Sequence, residues 1–180
     1  YTITGTNTLT GCSKAMSGSA TINVLALPTA FTVEGGGNYC AGGTGVNVTL
    51  SGSQVGVSYQ LYRGGIFAVG SPKPGTGSSI NFGLQTTSGS YTVSAINTST
   101  MCVNNMTGSA TVVEMALPTV YAVSGSSAGY CIGGTGVTPI LAYSEYGVSY
   151  QLFRGSTPIG TPLPGSGGPV SFLPQTTAGS

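Results

Sequence analysis

The string YTITGTNTLTGC at Tyr1 returns as YTVSAINTSTMC at Tyr91, and MSGSAT at Met16 returns as MTGSAT at Met106. ALPT recurs at Ala26 and Ala116, YCAGGTGV at Tyr39 is answered by YCIGGTGV at Tyr130, and GVSYQL stands at Gly56 and at Gly147. QTTSGS at Gln85 becomes QTTAGS at Gln175. The displacement is 90 near both ends and 91 between, so one residue is inserted near Gly129 and one is lost near Gly160. Whatever this chain folds into must serve the same pattern twice, and a period of that length marks an array of similar units. The phase carries a further expectation. GS at Gly89 runs straight into Tyr91, so the GS at Gly179 is expected to run into another tyrosine, the 180 residues being a window on a longer tandem array.

Only 4% of the residues are charged, with no His, no Trp and, since Glu34, Glu114 and Glu145 account for every acid, no Asp. Gly, Ser and Thr supply a polar surface that is almost uncharged. Disorder follows low hydrophobicity combined with high net charge, whereas this chain is 39% hydrophobic with a positive mean hydropathy. A folded, β-rich protein is therefore expected. A net charge of +1 offers no electrostatic footprint for nucleic acid or anionic lipid. No apolar run approaches the ~20 residues of a membrane-spanning helix, and no signal peptide is visible.

Apolar residues alternate with polar ones, the signature of half-buried antiparallel strands. Val46, Val48 and Leu50 share one face; Val57, Tyr59 and Leu61 share another; Tyr91, Val93 and Ala95 a third. SATVVEMAL at Ser109 adds a strand that stops before Pro118. The prolines of SPKPGTG at Ser71 and TPLPGSG at Thr161 exclude a central strand there. About seven short strands in about 90 residues predict a β-sandwich of immunoglobulin-like type. ALPT reads as the boundary between domains, because its proline ends a ladder. The expected organisation is the last strands of one repeat at 1–29, a complete Ig-like repeat at 30–117, and the first strands of the next at 118–180.

GSYTVSA, a short loop with Cys102, GSATV, ALPT and a downstream YCxGGTGV together resemble the Ig-like and PKD-like repeats of giant Bacteroidetes cell-surface adhesins, proteins typically exported by type IX secretion. The resemblance covers the whole chain. It implies an extracellular, cell-surface location, a structural role in an adhesin shaft or filament, and end-to-end contact between neighbouring copies of the repeat, with lateral self-association in a fibre. It also implies that Tyr91, and Tyr1 in the other copy, close a tyrosine corner at the start of the penultimate strand. Related adhesin repeats are stiffened by calcium, but a chain without Asp and with three scattered Glu has no hard-oxygen cage for it.

Cys12 and Cys102 are equivalent, as are Cys40 and Cys131, and an even count in an exported chain points to disulfides; without His or a CxxC pair, zinc is not expected. Two pairings are open: Cys40 with Cys102 inside one domain, or Cys12 with Cys40 and Cys102 with Cys131 across ALPT. Loops of about 62 and about 28 residues give roughly 4.3 and 3.6 kcal/mol in one model, so chain entropy does not choose. The family pattern implies the intradomain pair, which leaves Cys12 and Cys131 to partners in adjacent repeats.

Catalysis has little to stand on. A Ser or Cys nucleophile needs a base, and paired carboxylates need two acids together; Glu34, Glu114 and Glu145 stand opposite Ser124, Val24 and Gln54 in the other copy. The glycine-rich GGGNYCAGGTG reads as turns rather than a phosphate loop, since no Lys and no helical pattern follow it. No enzyme, metal or cofactor is expected. Tyr62 and Phe153, with Arg63 and Arg154 beside them, are the candidate contacts for a sugar or a subunit interface. The alternative to a structural repeat is accordingly a carbohydrate-binding adhesive module.

Overall fold

The structure is a computed structural model that describes residues 1–125 and 129–179. Among the described residues there is no helix, and the chain is all-β. It divides into two compact units, Tyr1–Met115 and Ala116–Ser180, parted at the start of the second ALPT. The junction expected at Ser180 lies outside the described residues.

The first unit begins with a small hairpin, β1 (Thr4–Thr6) and β2 (Ser13–Ala15), whose strands pair only with each other. Two larger sheets follow. One has the order β3-β5-β8, from β3 (Val33–Gly35), β5 (Val46–Leu50) and β8 (Ile80–Gln85). The other runs β4-β11-β9-β6-β7, from β4 (Gly37–Cys40), β6 (Val57–Arg63), β7 (Phe67–Pro74), β9 (Gly89–Asn97) and β11 (Ala110–Met115), with β10 (Val103–Asn105) also on β9. Residues of both sheets meet in one sandwich-like core. Val48, Leu50 and Ile80 from the first face Tyr59, Leu61, Tyr91, Val93, Ala95 and Val112 from the second, and all are buried. The alternation read from the sequence thus faces the core at each of its three predicted strands, apart from Val46, which is half-buried at its margin.

The Pro-rich stretches lie on strands, though not on central ones. β7 runs through Pro72 to Pro74, and it does so as the outer strand of its sheet, where a residue without an N–H costs no ladder bond. GGGNYC also contains more than turns. β3 belongs to one sheet and β4 to the other, and the chain crosses between them at Gly35 and Gly36, both at positive φ (91° and 77°). A Cβ on Gly36 would collide with the backbone of Thr111. Glycine is required there because the first strand must leave one sheet and pass close over β11 to join the other.

The second unit repeats the front of this arrangement. β12 (Val123–Ser124), β13 (Ile140–Leu141) and β16 (Val170–Ser171) form a three-stranded sheet in the order β12-β13-β16. They correspond to β3, β5 and β8. β14 (Ser149–Arg154) and β15 (Thr157–Pro164) form a hairpin that corresponds to β6 and β7, with the register shift at the same place. No described strand of this unit corresponds to β9, β10 or β11.

Candidate functional site

Polar fastenings, rather than a reactive cluster, are what the two copies share. The Gln54 N–H donates to the Tyr59 hydroxyl at 2.8 Å, and the Glu145 N–H donates to the Tyr150 hydroxyl at 2.9 Å. Ser53 Oγ donates to the Ser78 carbonyl and accepts from Thr76 N–H; Ser144 Oγ does the same with Gly168 and Ser166. The amide of Gln60 spans the β6–β7 bulge to Val69 O, and that of Gln151 spans the β14–β15 bulge to Ile159 O. Each of these buries a polar group with its partner, and among the described residues no buried side-chain polar atom lacks one. The Tyr91 hydroxyl donates to the Thr87 carbonyl at 2.7 Å, closing the corner expected of it.

Glu145 takes the place of Gln54 in this scheme. Gln54 Oε1 accepts the Thr29 N–H at 2.6 Å, and Glu145 Oε1 accepts the Thr119 N–H at 2.8 Å and the Tyr121 hydroxyl at 3.2 Å. Both tie the residue after a boundary proline to the same turn. The hydrogen bonds from Thr119 hold the Glu145 carboxyl below its ordinary value of 4.5, against a smaller opposing effect of desolvation. Desolvation first, then the hydrogen bond to Glu145 and its charge, raise the Tyr121 hydroxyl against an opposing hydrogen bond with Thr119. A carboxyl with a lowered folded pKa stabilises the fold above its unfolded pKa, and that contribution is lost as the pH falls through the folded value. Glu145→Gln is therefore expected to melt like the parent at pH 7, because glutamine already does this work at position 54. Below about pH 4.5 the parent should lose stability relative to the variant. Melting curves from pH 7 to pH 3 check this; parallel curves for the two proteins would refute it.

All four cysteines are free thiols, with Cys12, Cys40 and Cys131 exposed and Cys102 half-buried. The intradomain pairing of Cys40 with Cys102 does not fit the register. Val103, next to Cys102, opposes Ile96, and Val112 opposes Gly89, while Cys40 lies beyond that level opposite Met115. The Gly89-to-Ile96 span alone separates the two by ~23 Å at ~3.3 Å per residue. A disulfide needs Cα atoms within about 7 Å. The two thiols sit at opposite ends of the sheet: Cys102 where the chain enters, near Pro28 held by Asn104, and Cys40 where it leaves, at Met115. The sequence could not show this, because it does not fix where the first strand changes sheet.

The candidate sugar contacts fall into two settings. Tyr62 and Arg63 are half-buried on β6, between Ala68 and Phe67 of β7 and Thr92 and Tyr91 of β9. The Arg63 guanidinium lies 5.9 Å from the centre of the Phe67 ring. Tyr62 borders a pocket of about 460 Å³ with Ile66, Thr92 and Asn105. Phe153 and Arg154 are exposed on β14, at the rim of a groove of about 650 Å³. No group of three His, Cys, Asp or Glu side chains is gathered among the described residues, and no described helix is long and apolar enough to cross a membrane. Comparison with protein-family models, with curated proteins and with solved structures finds no match to the chain.

Proposed function

We propose that the chain is a structural repeat of Ig-like type from the shaft of an extracellular adhesin or surface filament, with no chemistry of its own. The observation that carries this reading is that the two copies preserve fastenings while none of their three carboxylates recurs. Tyr59, Ser53 and Gln60 reappear with their partners as Tyr150, Ser144 and Gln151, whereas Glu34 and Glu114 have no charged counterpart. What is repeated is a way of closing a sheet. The likeness of the motif order to Bacteroidetes adhesin repeats supports a cell-surface location and export by type IX secretion. Immunogold electron microscopy with antibody to the chain tests it: label on thin surface structures is the expected result, and label confined to the cytoplasm contradicts it.

The Tyr62 pocket supports a second reading, a carbohydrate-binding module, since an aromatic ring beside Asn105 can stack on a sugar and hydrogen-bond its hydroxyls. A glycan array separates the two. A structural repeat gives no specific signal; binding that disappears in Tyr62→Ala favours the module.

A further inference from the structure

In the first unit the segment that follows Pro28 and the strand that ends at Met115 run side by side in the same direction. Thr32 faces Thr107 in a parallel bridge, and Gly37 to Cys40 of β4 face Val112 to Met115 of β11, also in parallel. Thr107 lies 75 residues after Thr32, and Met115 stands at the same offset from Cys40. The seam therefore keeps one register from end to end. The crossing from β3 to β4 does not interrupt it, because Gly36 passes against the backbone of Thr111 at that same offset. At one end the Thr107 N–H donates to the Phe31 carbonyl at 2.9 Å and the Val33 N–H to the Thr107 carbonyl at 2.8 Å; at the other, the Ala41 N–H donates to the Met115 carbonyl at 2.8 Å.

The two strands are tied to the rest of the chain at opposite ends of this seam. The incoming chain is held at the first end, where Pro28 is buried, its carbonyl accepts from the Asn104 amide at 2.7 Å, and the Phe31 N–H is given to Met106 Sδ at 3.3 Å. The outgoing chain leaves at the second end, beyond Met115. Tension between Pro28 and Ala116 thus draws the first segment toward the entry end and β11 toward the exit end. That motion runs along the strands, whereas the ladder bonds lie across them. Bonds loaded in this way share the force and give way together. A pair of strands drawn apart from one end gives up its bonds one after another, each under the whole load.

We propose that the seam of 31–40 with 106–115 is a load-bearing clamp, which keeps the repeat folded while the chain is under tension along its length. This rests on the reading of the chain as a shaft repeat, which supplies the tension, and names the bonds that carry it. The clamp joins the segment where the load enters to the strand where it leaves, so the rest of the sandwich is drawn out only after it fails. Gly36 belongs to it, since a side chain there would push the first segment away from β11 in the middle of the seam.

Single-molecule stretching of the 180-residue chain in two directions is the test. With Cys12→Ser, Cys102→Ser and Cys131→Ser, the exposed thiol of Cys40 becomes the one attachment point besides the termini. Pulled between Tyr1 and Ser180, the load crosses the seam along its strands. Pulled between Cys40 and Ser180, the same strands are peeled apart from the Met115 end, because Cys40 lies opposite Met115. Both measurements use one protein with one stability, and forced unfolding follows the barrier along the direction of pulling. The event that releases residues 30–115, roughly 300 Å of chain at about 3.5 Å per residue, should need a force several-fold higher from Tyr1 than the corresponding event needs from Cys40. The unsubstituted chain pulled from its two ends should match the substituted one. Equal forces in the two directions, or a higher force from Cys40, overturn the proposal. The labelling experiment decides the shaft reading separately and depends on neither force.

Discussion

Replacing Tyr91 by alanine is expected to cost the first unit about 3–5 kcal/mol, the range for removing a fully buried aromatic side chain, while the same replacement at Tyr1 leaves thermal stability of the dilute chain unchanged. The two residues are equivalent in the repeat. Tyr91 is buried among both sheets and donates to the Thr87 carbonyl, so its loss opens a cavity and strands an acceptor. Tyr1 stands in solvent. Thermal melts of the two variants in dilute solution check this. Equal losses would mean that the segment 1–29 is packed within its own copy, and equal indifference would mean that the core is not where the structure puts it.

Gly36→Ala is expected to destabilise the first unit by at least ~2 kcal/mol, since alanine in the left-handed region costs about 1–2 kcal/mol before any collision. The collision is with the backbone of Thr111 on β11, which cannot yield without breaking the sheet. Gly42 is the control. It has the same φ of 77° with open space around it, so Gly42→Ala should cost only the conformational term, about 1 kcal/mol. At roughly 4–8 °C per kcal/mol for a domain of this size, the two variants should be resolved by their melting temperatures. A Gly36→Ala protein as stable as Gly42→Ala would place the passage between sheets elsewhere.

Much of this was legible in the residues. Alternation located Val48, Leu50, Tyr59, Leu61, Tyr91 and Val93, because a strand between core and solvent writes its burial with a period of two. The corner at Tyr91 was legible from its place at the head of GSYTV. Two things were not. Prolines in SPKPGTG excluded a central strand, as its edge position bears out, but they did not show that an edge strand runs through them. Likewise GGGNYC showed positive-φ residues without showing that they carry a strand from one sheet to the other. That passage sends Cys40 to the end of the sheet opposite Cys102, which the motif order behind the intradomain pairing did not show. Of the candidate contacts, Tyr62 and Phe153 looked equivalent, as their neighbours in sequence are. They differ in the structure because β9 lies along the second edge of β6, while among the described residues β14 is paired along one edge alone, by β15.

The two copies fold the same hairpin, β6–β7 and β14–β15, around the same fastenings, and the first unit closes its core by laying β9 along β6. Electron cryo-microscopy tests this most directly. The map should show the two hairpins with the same register shift, and Tyr91 buried between the sheets opposite Arg63. A map in which the hairpins differ in register, or in which Tyr91 stands in solvent, would contradict it.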